Sequence, residues 1–299
     1  MDSGRQLTNA SDRTDSPHGL LSEKVMRVLF LMCALFFAAV LLIISLFLLV
    51  SSIPALRQIG LVKFLFGIVW KPDAGQFGLL PMIVGSVYVT TGALLIGIPL
   101  GLLCSIYLIF FCPKKLRAPF ESLINLMAGI PSVIYGFFGL MVIVPWIGTN
   151  LGGRGLSVLA ASLILGLMIL PTIISVSATS LASVESGVYQ GALALGASHE
   201  KSVFFTVVPA AKRGILTAVI LGMGRALGET MAVKMVCGNQ PILPGSILDG
   251  VRTLTTNIVL EMGYAADLHR QALIATALVL FVLVMMIYLL LGVMQKKEA

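Results

Sequence analysis

Six long apolar stretches constrain this chain more than any other feature of its sequence. The 299 residues are 58% hydrophobic and only 11% charged, whereas soluble domains carry about 25% charged residues. An apolar stretch of about 20 residues crosses the hydrocarbon core of a bilayer as a helix. We therefore expect an all-α, polytopic membrane protein that contacts membrane lipid. The six predicted spans are 26–52, 81–111, 122–147, 156–183, 213–237 and 272–294.

The lysine and arginine residues indicate how these spans are oriented. Six spans place both termini on one side, and twelve of the basic residues in tails and loops lie on that side against six on the other. Basic residues concentrate in the cytoplasmic loops of membrane proteins, so both termini are predicted to be cytoplasmic. The net charge of +7 has the same origin and does not indicate a nucleic-acid partner.

The spans divide the chain into a simple domain organisation. Residues 1–25 are polar and are predicted to form a disordered cytoplasmic tail, residues 26–295 the transmembrane domain, and residues 296–299 a cytoplasmic end. Two loops are long enough to have a role, one cytoplasmic at about 184–212 and one external at about 238–271. The four cysteines have no CxxC spacing, so neither a disulfide framework nor a zinc site is expected.

The sequence motifs of common membrane-associated enzymes do not occur. There is no GxxxxGK[ST] loop for a nucleotide and no HExxH zinc motif. No GxSxG nucleophile motif occurs either. We expect no catalytic residue, metal or cofactor in this chain. An enzyme acting on lipid phosphate is therefore not a favoured alternative.

The fifth predicted span carries two charged residues, Arg225 and Glu229. A charge at the centre of a bilayer is unfavourable by about 2.5–3.5 kcal/mol on insertion scales. Four residues apart on one helix, the two side chains share a face and are expected to pair. Two interpretations follow: an ion pair that locks neighbouring helices together, or a pair facing an aqueous path. In the second, Arg225 binds an anion and Glu229 competes with it. Lys234 is nearer the outer end and is expected to reach the membrane surface.

A helix break is predicted in the third span. Gly129 and Pro131 interrupt it, and Ser132 follows. The N-terminal end of a broken helix favours anions, which makes Ser132 a candidate ligand, whereas Tyr135 is assigned to packing. Other hydroxyl groups either line a path or bond to their own helix backbone. These are Thr90, Thr91 and Thr230.

The cytoplasmic loop has the pattern of two helices joined by a tight turn. Apolar residues recur at helical spacing before Gly196, and glycine suits the left-handed position that ends a helix. Ser198 then caps a second helix, and Pro209 precedes the fifth span. The residues alone allow either an ordinary amphipathic loop or a docking element for a cytosolic partner.

This loop resembles the coupling loop of ABC importer permeases. That pattern is EAA, three residues, Gly, nine residues, then I-x-L-P. Gln190, Gly191 and Ala192 take the EAA places, Gly196 the glycine place and Pro209 the proline place. The glutamate and first alanine of the pattern are replaced here, whereas the spacing from Gly to Pro is intact.

Three further segments resemble the C-type permease subunit of phosphate ABC transporters, the PstC family. They are "LGMGRALGETMAV" at 221–233, "GIPSVIYGFFGL" at 129–140 and "FGLLPMIVGSVYVT" at 77–90. The resemblance covers about residues 26–295. It implies the type I ABC importer permease fold, a place in a bacterial inner membrane and inward transport of inorganic phosphate.

The resemblance also implies the partners and site residues. A second homologous permease would complete the path, an ATPase dimer would bind ATP and Mg, and an external phosphate-binding protein would deliver the anion. Arg225 and Glu229 would be transport residues, and Gly196 would belong to the ATPase contact. Two alternatives stay open: an ABC permease for sulfate, molybdate or phosphonate, and an ion-coupled secondary anion transporter.

Overall fold

The structure is a computed structural model, and it describes residues 17–297. The chain divides into two compact units, 1–50 and 51–299. The first helix, α1 (Pro17–Ile59), begins at Pro17 rather than near residue 26. Residues 17–25 are therefore helical, which corrects the prediction that they belong to a disordered tail. Residues 1–16 of that predicted tail, and 298–299, lie outside the described residues.

Helices make up almost all of the second unit, with one short hairpin. Three segments, at 107–111, 139–143 and 203–207, are wider π-type turns that continue neighbouring helices. A short 3-10 helix, Pro72–Ala74, joins the two strands of the hairpin. The remaining elements are α2 (Leu61–Phe66), β1 (Trp70–Lys71), β2 (Gln76–Phe77), α3 (Leu80–Ile106), α4 (Lys114–Gly129), α5 (Ser132–Phe138), α6 (Val144–Asn150), α7 (Val158–Ala182), α8 (Ser186–Ala194), α9 (His199–Ser202), α10 (Val208–Ala210), α11 (Lys212–Gly228), α12 (Met231–Val236), α13 (Leu254–Glu261) and α14 (Asp267–Lys297).

The predicted membrane spans are largely confirmed. Within residues 17–297, five helical segments are long and apolar enough to cross a membrane, and a sixth is obtained if the pair 199–210 and 212–228, bent by 69°, counts as one span. The third span needs correction. Its apolar part is Ser132–Asn150, because α4, before the predicted break, is amphipathic and mostly exposed.

The core of the second unit is the contact between α3 and α7, with α11 beside them. Small residues on α3 let the two backbones approach. A Cβ at Gly97 would lie 2.8 Å from Ile169, and one at Gly101 would lie 2.6 Å from Ile173. The two glycines lie one turn apart on α3, and the two isoleucines lie one turn apart on α7. Such contacts give the close packing that membrane helices favour. This core holds α7 and α11 side by side.

A buried charged network secures the end of this unit that carries the antiparallel β1–β2 hairpin. Glu261, at the end of α13, forms an ion pair with Arg252. It also accepts a hydrogen bond from the Trp70 ring nitrogen at 2.8 Å and contacts His269 Nε2 at 2.8 Å. A buried carboxylate requires such partners. The network therefore joins the hairpin to the segment that leads into α14.

Candidate functional site

The fifth predicted span, 213–237, is broken after Gly228. Helix α11 ends at Gly228, Glu229 has an extended backbone (φ −70°, ψ 130°), and α12 begins at Met231. Arg225 and Glu229 therefore do not share one helical face, and no ion pair joins them among the described residues. The pairing predicted from their four-residue spacing is wrong, because that spacing argument requires an unbroken helix.

Arg225 lies in the last turn of α11 and is partly exposed. Its guanidinium donates a hydrogen bond to the Thr172 hydroxyl on α7, at 3.1 Å. The Thr172 hydroxyl is neutral, so the contact orients the arginine without cancelling its charge. A partly exposed, uncancelled cation in an apolar helix is a candidate anion ligand.

Glu229 is held by the break itself. Its Oε1 accepts a hydrogen bond from the backbone N–H of Ala232 at 3.1 Å, in the first turn of α12. Its backbone carbonyl accepts a hydrogen bond from the Thr255 hydroxyl, also at 3.1 Å. The carboxylate thus satisfies a donor at the start of α12. Thr255 fixes the backbone on the other side.

A small polar cavity adjoins Glu229. Its volume is about 10 Å³, room for about one water molecule. Polar side chains of three segments line it, namely Ser86, Thr90, Glu229, Thr253 and Thr255. Thr90 is therefore a buried polar lining residue, whereas Thr91 is exposed.

The break predicted in the third span is present. Ile130 and Pro131 have extended backbones between α4 and α5. Ser132 opens α5 and is partly exposed. The Tyr135 hydroxyl donates to the Met127 carbonyl at 2.9 Å, across the break, and its ring is buried with Ile164. The assignment of Tyr135 to packing agrees with these contacts.

The half-helices after the two breaks run parallel and in contact. Gly136 of α5 faces Ala232 of α12, and Gly139 faces Val236. Because both pairs follow the same order along the chain, the two half-helices begin at the same end. Ser132, four residues before Gly136, therefore lies at the level of the break at Glu229. Two residues distant in sequence are brought to one level of the structure.

Two other candidates of the fifth span have local roles. The Thr230 hydroxyl donates to the Gly228 carbonyl at 3.3 Å, so it bonds to its own backbone, one of the two roles considered above. Lys234 is partly exposed on α12, and its carbonyl accepts a hydrogen bond from Asn239. Because the break separates α11 from α12, the position of Lys234 relative to Arg225 does not follow the geometry of a single helix.

The loop at 184–212 has the predicted helix–turn–helix form. Helix α8 ends before Gly196, whose φ is +89°, a conformation open to glycine at little cost. The Ser198 hydroxyl accepts from the Lys201 N–H and caps α9. Together with the backbone, Ser198 lowers the pKa of Glu200 through hydrogen bonds to its carboxylate. Pro209 lies in α10, just before the 69° bend into α11.

The loop presents an exposed face and is fixed from within. Gln190, Gly191 and Pro209 are exposed, and Ala192 is partly exposed. The Tyr189 hydroxyl forms a 2.7 Å hydrogen bond with His199 Nδ1, which joins α8 to α9. The His199 ring also packs edge-on against Phe111, at 4.7 Å between centroids. Phe111 ends the second span, so the loop is attached to the membrane part of the chain.

Neither the loop nor the broken spans provide a metal centre. Within the described part of the chain, no three His, Cys, Asp or Glu side chains are grouped so as to hold a metal ion. The polar groups at the breaks are instead one guanidinium, one carboxylate and several hydroxyls.

Comparison with known proteins identifies the family. Residues 97–298 match the family described as "Binding-protein-dependent transport system inner membrane component". The chain belongs to this family. The permease is 37% identical to the probable ABC transporter permease protein YqgH of Bacillus subtilis, over all of this chain and 99% of that protein. It is 36% identical to the phosphate transport system permease protein PstC of Mesorhizobium japonicum, over 82% of this chain and 80% of that protein.

Solved structures confirm the fold. The permease aligns with the MetNI methionine ABC transporter with a TM-score of 0.62 and 18% identity, over 77% of this chain and all of that one. It aligns with a bacterial alginate ABC transporter with a TM-score of 0.60 and 16% identity, over 92% and 97%. The fold is that of type I ABC importer permeases. Permeases of this family work with an ATPase and a substrate-binding protein.

Two residues at the breaks were not found from the sequence. Thr172, the partner of Arg225, lies 53 positions away, and Thr255 lies 26 positions from Glu229. Neither separation has a local periodicity that would indicate the contact. Thr172 is one of several hydroxyl residues in the fourth predicted span, so its residue type alone did not distinguish it.

Proposed function

We propose that this permease is a subunit of an ATP-driven importer that carries inorganic phosphate across the cytoplasmic membrane. The observation that carries the proposal is the partly exposed Arg225, held by the neutral Thr172 hydroxyl. An uncancelled cation in an apolar helix is unfavourable by about 2.5–3.5 kcal/mol. Passage of an anion explains why it is retained. Relatives named as phosphate transport permeases indicate which anion.

The guanidinium of Arg225 suits phosphate because its fork of N–H groups matches two phosphate oxygens. Glu229, in the break, is the negative group that keeps anion binding reversible. Ser132, at the same level in the neighbouring span, and Thr230 complete the proposed pathway set. The path itself would form between this permease and a second homologous permease.

Energy for transport would enter through the 184–212 loop. The exposed Gln190 and Gly191 with Ala192, and the bounding Gly196 and Pro209, would contact an ATPase dimer that binds ATP and Mg. Apolar side chains strengthen the case for a protein contact there: Leu195 is 91% exposed and Phe205 is 79% exposed. Both termini would lie on this cytoplasmic side, and an external phosphate-binding protein would dock on the opposite side.

The proposal is tested by reconstitution. The permease is placed in proteoliposomes with the candidate ATPase, second permease and binding protein, and ATP-driven uptake of labelled phosphate is measured. Arg225→Gln is expected to abolish most uptake, and Glu229→Gln to slow it. Arg154→Gln, an exposed arginine in a loop, serves as the control and is expected to transport normally.

Each alternative predicts a different result. Normal uptake by Arg225→Gln would remove that residue from the path. Uptake that continues without the ATPase would indicate an ion-coupled secondary transporter. Stronger competition by sulfate or molybdate than by unlabelled phosphate would indicate another oxyanion.

A further inference from the structure

A second polar region lies between α4 and α7, toward the 184–212 loop. These helices border a groove of about 530 Å³, many times the roughly 30 Å³ that one water occupies in the liquid. Six polar residues line it, namely Arg117, Glu121, Asn125, Ser175, Thr179 and Ser183. The groove is thus large, and half of the residues that line it are polar.

The hydroxyl groups form a continuous row on α7. Ser175, Thr179 and Ser183 follow Thr172 by three, seven and eleven positions, which places all four on one side of the helix and its end. Ser175, Thr179 and Ser183 are exposed. Thr172 is the residue that accepts the hydrogen bond from Arg225. The row therefore begins at the Arg225 site and continues to the start of the 184–212 loop.

The facing side of α4 is charged. Arg117, Glu121 and Asn125 recur every fourth residue, and the Arg117 Nε bonds to Glu121 Oε1 at 2.9 Å. The two side chains are 44% and 48% exposed. An exposed pair of this kind is weak, so an anion can displace Glu121 from Arg117. Within the described residues, the side chains of Asn125 and Ser175 have no hydrogen-bond partner.

We infer that this groove is the inner half of the anion path, with Arg117 as a second anion-binding residue. The anion leaves Arg225, passes the hydroxyls of α7 and reaches Arg117, where Glu121 competes with it and promotes release. Arg117 and Glu121 would thus act in the groove as Arg225 and Glu229 are proposed to act at the break, with an arginine that binds the anion and a glutamate that competes with it. This inference depends on the proposed function. The alternative is that α4 lies on the membrane surface with its polar side in water.

The test is the accessibility of single cysteines in the reconstituted complex. Ser175→Cys and Thr179→Cys are made separately in a background whose four native cysteines are replaced by serine. A membrane-impermeant, negatively charged thiol reagent is added from the side of the 184–212 loop. A variant that retains only the native Cys104, exposed on α3 and not lining the groove, is the control. The replaced residues are Cys33, Cys104, Cys112 and Cys237.

We expect S175C and T179C to react at least about tenfold faster than Cys104, because an aqueous site favours the reactive thiolate. Inorganic phosphate should slow both reactions and leave that of Cys104 unchanged. Arg117→Gln should reduce uptake about tenfold, the effect of losing one hydrogen bond to a charged group. Arg117→Lys should restore part of it.

Two results would overturn the inference. One is a reaction at both positions no faster than at Cys104. The other is rapid reaction that phosphate does not slow, which would fit a surface helix. The labelling rates are measured in a complex whose wild-type form has first been shown to carry out ATP-driven phosphate uptake. Failure of wild-type uptake contradicts the proposed function, whereas normal uptake with unprotected cysteines contradicts the groove alone.

Discussion

Gly136→Ala is the substitution that most directly tests the packing of the two half-helices. A Cβ at Gly136 would lie 2.8 Å from the Ala232 Cα, 2.9 Å from the Met235 Sδ and 3.3 Å from the Ala232 carbonyl oxygen. Carbon atoms in contact prefer about 3.5–4.0 Å. The Met235 side chain can rotate away, but the Ala232 backbone cannot. Helices α5 and α12 must therefore separate by about 0.7 Å to reach that distance.

The expected loss of stability follows from this separation. Overpacking a tight contact destabilises by about 1–3 kcal/mol, and alanine returns up to about 1 kcal/mol through its better helix propensity. We expect a net loss of about 1–2 kcal/mol, which lowers the melting temperature by several degrees at about 2–4 °C per kcal/mol. We also expect phosphate uptake to fall, because Ser132 begins one of these half-helices and Glu229 lies just before the other.

The assay compares Gly136 with Gly129, which lies at the end of α4, before the break. A Cβ added at Gly129 would meet no atom within 4 Å, so Gly129→Ala is the matched control. Melting is followed by intrinsic tryptophan fluorescence in lipid nanodiscs, and uptake by the reconstituted complex. If Gly136→Ala melts and transports like Gly129→Ala, the parallel contact between α5 and α12 is wrong.

Three further substitutions test the loop and the buried network. Tyr189→Phe removes the hydrogen bond to His199 and lowers the stability of the loop by about 1 kcal/mol. The number of phosphate ions moved per ATP hydrolysed should fall. An unchanged ratio would show that this hydrogen bond is not part of coupling. A Cβ added at Gly196 would meet no atom within 4 Å. Gly196→Ala is therefore destabilising only through the left-handed backbone at this position, by about 1–2 kcal/mol. Protease cleavage in the loop should increase, and cleavage equal to wild type would argue against the turn. Glu261→Gln leaves Arg252, whose side chain is 14% exposed, without its anion. The expected loss of stability is at most about 3–5 kcal/mol. A melting temperature within one or two degrees of wild type (under about 1 kcal/mol) would contradict the network.

The sequence predicted the features that depend on neighbouring residues. Apolar length located the spans, Gly196 and Ser198 located the turn and cap of the loop, and Pro131 located the break in the third span. Each of these signals acts within a few residues. Proline cannot donate a backbone hydrogen bond, so its effect on a helix is visible without knowledge of the fold.

The features that were missed depend on contacts between distant segments. The break at Glu229 has no proline beside it that would mark it in the sequence. What holds the break open is Thr255 on one side and the α12 backbone on the other. The groove between α4 and α7 was missed for the same reason, because its two polar rows lie on separate helices.

The break changes the meaning of the two charges in the fifth span. In a continuous helix, Glu229 would neutralise Arg225, and the pair would need no solute to account for it. In the structure, the carboxylate instead satisfies a backbone N–H of α12. Among residues 17–297, the hydrogen-bond partner of the guanidinium is the neutral Thr172 hydroxyl. The positive charge therefore stays available in an apolar helix, where it is tolerated only beside water or an anion. The hydroxyl row that leads from Thr172 along α7 is the route by which we propose that such an anion leaves.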